Sequence, residues 1–173
     1  IKVNKKAYKS YKASIPNDTS FIDGIYYSLI HDMESFGYSK NENLTMRLVL
    51  DEMVSNAIYH GNLDVHGEKF EADKPAKESR FFKLVEERLL DSNYADKKVN
   101  VSYTIDNDKI IIEIIDEGNG FDFEKASNST VENLSNVSGR GIFLTKLYVD
   151  SVEYLGLGNQ VKLIKYNKKD TNY

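Results

Sequence analysis

The sequence predicts an α+β fold, a two-layer α/β sandwich with helices on one face of a mixed, mostly antiparallel sheet. Three observations point there. Helical periodicity runs through most of residues 18–91, strand alternation takes over from residue 99, and one more helical stretch at 141–149 interrupts the strands. Helices first, then a sheet containing one further helix, is the order of a layered domain with its helices segregated to one side.

The elements follow in chain order. Residues 7–15 (AYKSYKASI) read as a short edge strand whose lysines discourage edge-to-edge pairing. Pro16 breaks it. Asp18 or Thr19 caps a helix that runs to about Phe36, before Gly37. A second helix starts after Ser39 or Asn41 and runs to His60. Residues 63–77 are polar, contain Pro75 and read as a loop. Phe82, Leu84, Val85 and Leu89 give residues 78–91 a helical period. Val99, Val101, Tyr103 and Ile105 alternate with polar residues, as in a half-buried strand. Asp106-Asn107-Asp108 is turn chemistry, and the apolar run 110–115 is a central strand. Residues 122–138, rich in Ser and Asn, are expected to be mobile. A final hairpin pairs 151–156 with 161–166 across Gly158-Asn159.

With 173 residues, 40% apolar and 29% charged, the chain is one ordinary globular domain long enough to bury a core without staples. It has no cysteine, which excludes disulfides, thiolate metal sites and a cysteine nucleophile. No apolar run approaches the roughly 20 residues of a membrane span, and no signal pattern is present, so a cytoplasmic location without membrane contact is expected. The net charge is −4, but residues 1–13 carry +5 and residues 162–173 carry +3, leaving −12 on residues 14–161. Such a body is a poor nucleic-acid surface, since phosphate needs clustered Lys and Arg. The first residue is Ile1, which suits a piece of a longer chain.

Three motifs carry chemistry. On the second helix, Met46, Leu50, Met53 and Ala57 form an apolar stripe. With Glu52 set at 0°, Asn56 falls at ~40° and His60 at ~80°, beside the stripe at ~100–160°. A carboxylate, an amide and an imidazole therefore line the rim of the buried surface. The second motif is Asp116-Glu-Gly-Asn-Gly-Phe121. An acid at the end of the most buried strand is costly unless paired, and an exocyclic amine would pair it. Gly118 and Gly120 permit a tight turn and close ligand approach. The third is Ser138-Gly139-Arg140-Gly141-Ile142, just before the short helix. Bare amides at a helix N-terminus and an arginine fork suit phosphate. Each motif alone is equally at home as ordinary helix, turn or loop sequence; their order and separation give them weight.

Together, E-x-x-x-N-A-x-x-H-G at 52–61, D-x-G-x-G-F at 116–121 and G-x-G-I at 139–142 resemble the N box and two glycine boxes of the Bergerat-fold ATPases. That superfamily includes histidine kinases, gyrase, Hsp90 and MutL. The resemblance covers about 15–166 of a single domain spanning 1–173. SNAIYHGN and GRGIFLTKLYVDSVEY are similar to anti-sigma factor serine kinases. The insert at 63–98 resembles a subgroup joined to receiver or PPM-type phosphatase modules. The resemblance implies ATP and Mg²⁺ as cofactors. It makes Glu52 a general base, Asn56 the magnesium ligand and Asp116 the acceptor of the adenine amine. Gly118, Gly120 and Phe121 shape the turn beneath the base, and about 122–138 form the ATP lid. Gly139, Arg140, Gly141 and Ile142 hold the phosphates, and His60 and Gly61 close the N box near the phosphate path. The implied partner is a STAS-type antagonist, with a sigma factor behind it, and pairing of two copies through the sheet side is a further expectation.

This sequence departs from that pattern in places. Relatives set a Thr behind the adenine-binding Asp; here Gln160 falls near that place, so either adenine binding is weaker or another group fills in. The lid lacks glycine between Gly120 and Gly139. A P-loop is absent. His31 lacks the proline of a phospho-accepting histidine motif and lies too near Glu52 for a separate dimerisation domain. His66 reads as exposed, and scattered histidines offer no zinc site. A serine kinase therefore leads. A non-catalytic nucleotide-binding or partner-sequestering module is the alternative, and a histidine kinase catalytic domain comes third.

Overall fold

The computed structural model describes residues 7–67, 69, 71–122 and 137–168, with 137–140 described by backbone alone. Strand β1 (Lys9–Ile15) leads through a 3-10 turn (Thr19–Phe21) into α1 (Ile22–Ser35) and then α2 (Lys40–Asn56). A π-helical turn (Ala57–Asn62) continues α2. The insert holds α3 (Arg80–Leu89) and the short α4 (Ser92–Ala95). Strands β2 (Val99–Ile105) and β3 (Lys109–Ile115) follow, then α5 (Val137–Tyr148), β4 (Ser151–Leu155) and β5 (Gln160–Tyr166).

The sheet order is β1-β2-β3-β5-β4, and each neighbouring pair is antiparallel. Strand β3 is central, with Ile112 opposite Tyr103 on one side and Leu163 on the other. Because side chains alternate across a strand, Ile110, Ile112 and Ile114 share one face with Val99, Val101, Val161 and Leu163, and all are buried. Ile22, Ile25, Leu29 and Met33 of α1 and Met46, Leu50, Met53 and Ala57 of α2 supply the other half of the core at helical spacing.

Local chemistry sets the helix ends. Ser39 and Glu42 form a reciprocal capping box, Glu42 N donating to Ser39 Oγ at 3.3 Å and Ser39 N to Glu42 Oε2 at 2.8 Å. Gly37, at φ +78°, turns the chain out of α1. Asp32 is buried where α1 meets the sheet, and accepts from Lys9 Nζ at 2.6 Å and Tyr103 Oη at 2.8 Å. Burial works to raise its pKa, but those two donors hold it below the usual value.

Some expected boundaries move. The π turn carries the second helix past His60 to Asn62. The helix expected at 78–91 runs from Arg80 to Leu89 and stops where Asp91 turns extended to cap α4. Helix α5 begins at Val137, so Gly139, Arg140 and Gly141 lie in its first turns rather than before it. Most of the expected lid, residues 123–136, lies outside the described residues. Among the described residues no helix is long and apolar enough to cross a membrane.

Candidate functional site

Helix α2 places Glu52 and Asn56 one turn apart. Asn56 Nδ2 donates to Glu52 Oε1 at 3.0 Å. A carboxylate only accepts, so this bond fixes which way the amide faces. Asn56 Oδ1 takes no hydrogen bond from any described residue, and a carbonyl oxygen is the hard donor that Mg²⁺ prefers. The same oxygen of Glu52, Oε1, lies against Gly141 of α5. A Cβ on Gly141 would overlap the Glu52 carboxylate, so the absence of a side chain there is what leaves the carboxylate its place.

The π turn then changes the path of the chain. Leu63 N bonds back to Ile58 O at 2.9 Å, five residues away, which widens the helix at the site. His60 Nδ1 is 2.6 Å from Val65 O. Since a carbonyl cannot donate, Nδ1 carries the proton and Nε2 is the acceptor. Nε2 is buried without a partner among the described residues, and burial lowers the imidazole pKa, so the ring is neutral at pH 7. His66, from the insert, stacks on His60 with centroids 5.5 Å apart and an interplanar angle of 11°. It is largely exposed, as expected, yet forms one wall of the cleft.

Asp116 stands at the end of β3 on the core side. Its Oδ1 accepts from Gly118 N at 2.8 Å. Burial pushes its pKa up to about 6, with the Gly118 amide and the charge of Lys97 opposing the rise. Three backbones close on one another here. A Cβ on Gly61 would strike the Asp116 carboxylate, and one on Gly118 would strike the Gly61 carbonyl. Gly120, at φ +75°, faces the Leu157 carbonyl, which accepts from Phe121 N at 3.0 Å. Tyr154 meets Phe121 edge-on at 5.0 Å.

Between these groups lies a pocket of about 140 Å³. Asn56, His60, Gly61, Asp116, Gly120, Phe121 and Ile142 line it, with Met53, Ala57, Ile114 and Val161 as its apolar walls. Gly118 sits behind Asp116, and Glu52 and Gly141 adjoin beyond Asn56. Gly139 and Arg140 belong to the α5 N-terminal turn, and the Arg140 side chain is outside the described atoms. An apolar slot ending in a half-buried carboxylate fits a purine with an exocyclic amine. At the other end, the Asn56 oxygen and the amides opening α5 fit a metal-bound phosphate chain.

Sequence reasoning missed three residues. Asn62 is fully buried; it donates through Nδ2 to Asn17 Oδ1 at 2.8 Å and accepts Glu117 N at 2.7 Å. Asn17 in turn donates to Tyr94 O at 3.0 Å, so the N box, the first glycine box and the insert are fastened together. Asn159, not Gln160, supports Asp116. Asp116 N donates to Asn159 O at 3.0 Å and Asn159 Nδ2 to Asp116 O at 3.1 Å. Gln160 pairs with Ile115 in the β3–β5 register and borders the pocket rather than bonding to Asp116. A signal existed for Asn159: it opposes Asp116 once the register of the last hairpin is extended by one residue.

A helix–sheet cleft with these three motifs around it defines an ATPase of the Bergerat type. The chain matches the family model described as the histidine kinase-like ATPase domain over residues 29–165, and it belongs to that family. No curated protein is matched.

Proposed function

We propose that the domain binds ATP with Mg²⁺ in this cleft and transfers the γ-phosphoryl group to a serine or threonine hydroxyl of a partner protein, as anti-sigma factor kinases do. The observation that carries the reading is the Glu52–Asn56 pair, held at 3.0 Å beside Gly141 at the end of the pocket opposite Asp116. Asp116 would accept the adenine amine, with the Gly61–Gly118 contact fixing its position. Phe121 and Ile142 would cover the base. Asn56 would hold Mg²⁺, which neutralises phosphate charge when bound. The free amides of the first turn of α5, that of Gly139 among them, would take phosphate oxygens, and Gly141 would leave the room in which Glu52 sits. Glu52 would accept the hydroxyl proton, help worth about 10²–10⁴-fold. Phosphoryl transfer rests chiefly on positioning and charge neutralisation, and this arrangement can supply both.

The proposed partner is a STAS-type antagonist in a switch that releases a sigma factor, in a cytoplasmic setting and with a fused receiver or PPM-type phosphatase module as the natural neighbour. Incubation with ATP, Mg²⁺ and candidate antagonists, read by intact mass, tests it. Acid-stable phosphate on the antagonist that disappears in Glu52→Ala is the expected result. Acid-labile phosphate on a histidine would favour the histidine kinase reading. ATP binding without any transfer would favour a sequestering module.

A further inference from the structure

Glu52 and Asn56 are hydrogen-bonded neighbours, yet they face different spaces. Asn56 lines the pocket that ends at Asp116; Glu52 lines a second pocket, of about 310 Å³, between α2 and α5. In phosphoryl transfer the attacking and leaving oxygens lie roughly in line on opposite sides of phosphorus. A nucleotide held on the Asn56 side therefore requires the acceptor to arrive from the Glu52 side, where the second pocket opens.

The walls of that pocket have a character of their own. Leu48 of α2 is 55% exposed and Leu144 of α5 is 46% exposed. Leu44 (66%) and Leu147 (62%) extend the same two helices outward, at i−4 and i+3 spacing. Large apolar side chains left open beside a reactive carboxylate, on a body carrying −12, mark a protein contact rather than a small polar acceptor.

We infer that this second pocket receives the phospho-acceptor: an extended segment of a partner protein with a Ser or Thr against Glu52 and a large apolar side chain, a few residues away, between Leu48 and Leu144. The inference rests on the kinase reading above. In the step itself the hydroxyl oxygen bonds to the γ-phosphorus, the bond to the β–γ bridging oxygen breaks, ADP leaves, and the hydroxyl proton passes to the Glu52 carboxylate.

The test uses an oriented peptide library with a fixed central Ser or Thr, labelled ATP and Mg²⁺, on the wild-type chain and on Leu48→Glu and Leu144→Glu. Both side chains are about half exposed, and Leu48→Ala serves as a milder variant if a glutamate prevents folding. The expected result is a preference of about tenfold or more for Leu, Ile or Phe near the hydroxyl. That preference is lost in the variants, while ATP affinity by calorimetry is unchanged. A flat library, equal transfer by variants and wild type, or label only on the domain itself overturns the acceptor pocket and leaves the kinase reading standing. ATP binding by the wild type with no transfer to any member overturns both.

Discussion

The side-chain oxygen of Asn62 accepts the backbone N–H of Glu117 at 2.7 Å, fastening the end of the long helix to the loop that leaves the central strand. The two residues bracket the contact among Gly61, Asp116 and Gly118. Holding Asp116 in place is thus the task of an amide that touches neither pocket. Asn62→Ala would take a partner from the part-buried Glu117 N–H and from the buried Asn17 side chain, at a cost of about 2–3 kcal/mol. For a chain of this length that is a fall in Tm of ~4–12 °C. Nucleotide affinity should fall with it, because Asp116 loses its anchor. Thermal melts with and without ATP check both effects.

That arrangement also shows how far the sequence could be read. The helix stripe, the alternation of β2 and the apolar run of β3 are periodic signals, and periodicity survives without coordinates. Glu52, Asn56 and Asp116 were legible because their spacing follows an ideal helix or a strand end. Asn62 was not. On an ideal helix it would stand at about 280° from Glu52, away from the apolar stripe. Only the π turn swings it inward, and nothing in AIYHGN announces an i→i+5 bond. Asn159 was missed for a different reason. Its role depends on which residue opposes Asp116, and a one-residue error in register exchanges the two faces of a strand.

The carboxylate of Asp116 predicts a particular dependence on pH. Its folded pKa, about 6, lies above the ordinary 3.8, so the folded state holds this proton more tightly than the unfolded chain. The associated stability is complete below about pH 4 and is lost as the pH rises through 6. Asp116→Asn, neutral throughout, should therefore match the wild-type Tm near pH 4 and exceed it by a margin that grows up to about pH 7. Binding should run the other way. Asp116 has two acceptor oxygens, one used by Gly118 N, while an asparagine has one for both tasks. ATP affinity of the variant at pH 7.5 should fall about 10–100-fold. Wild-type affinity should itself weaken between pH 7.5 and 5, as the acceptor becomes protonated. Calorimetry at several pH values checks both.

Gly141 makes a sharper test of the Glu52 assignment than removing Glu52. A methyl group at 141 meets the tip of a flexible side chain, not backbone, so the carboxylate can swing aside and the fold survives. Alanine also favours the helix that Gly141 occupies. Gly141→Ala should thus leave Tm unchanged or slightly raised, while phosphoryl transfer falls about 10²-fold through displacement of the base. Transfer at wild-type rate, alongside a normal melt, would remove Glu52 from the mechanism.

Two further glycines predict opposite outcomes from the same substitution. Gly24 lies within α1, and a Cβ there meets nothing within 4 Å. Gly24→Ala removes only unfolded-state freedom and helix penalty, a gain of about 0.5–1 kcal/mol and ~1–4 °C in Tm. Gly120 sits at φ +75°, and its Cβ would run into the Leu157 carbonyl, which is backbone and bonded to Phe121 N. Neither the conformation nor the contact can yield cheaply. Gly120→Ala should cost about 2 kcal/mol or more and lower Tm by at least ~4 °C. Because Gly120 and Phe121 form one lip of the pocket, it should also weaken ATP binding, whereas Gly24→Ala should leave binding untouched. Melting curves and ATP titrations on the two variants side by side separate a glycine the site requires from one that only the helix tolerates.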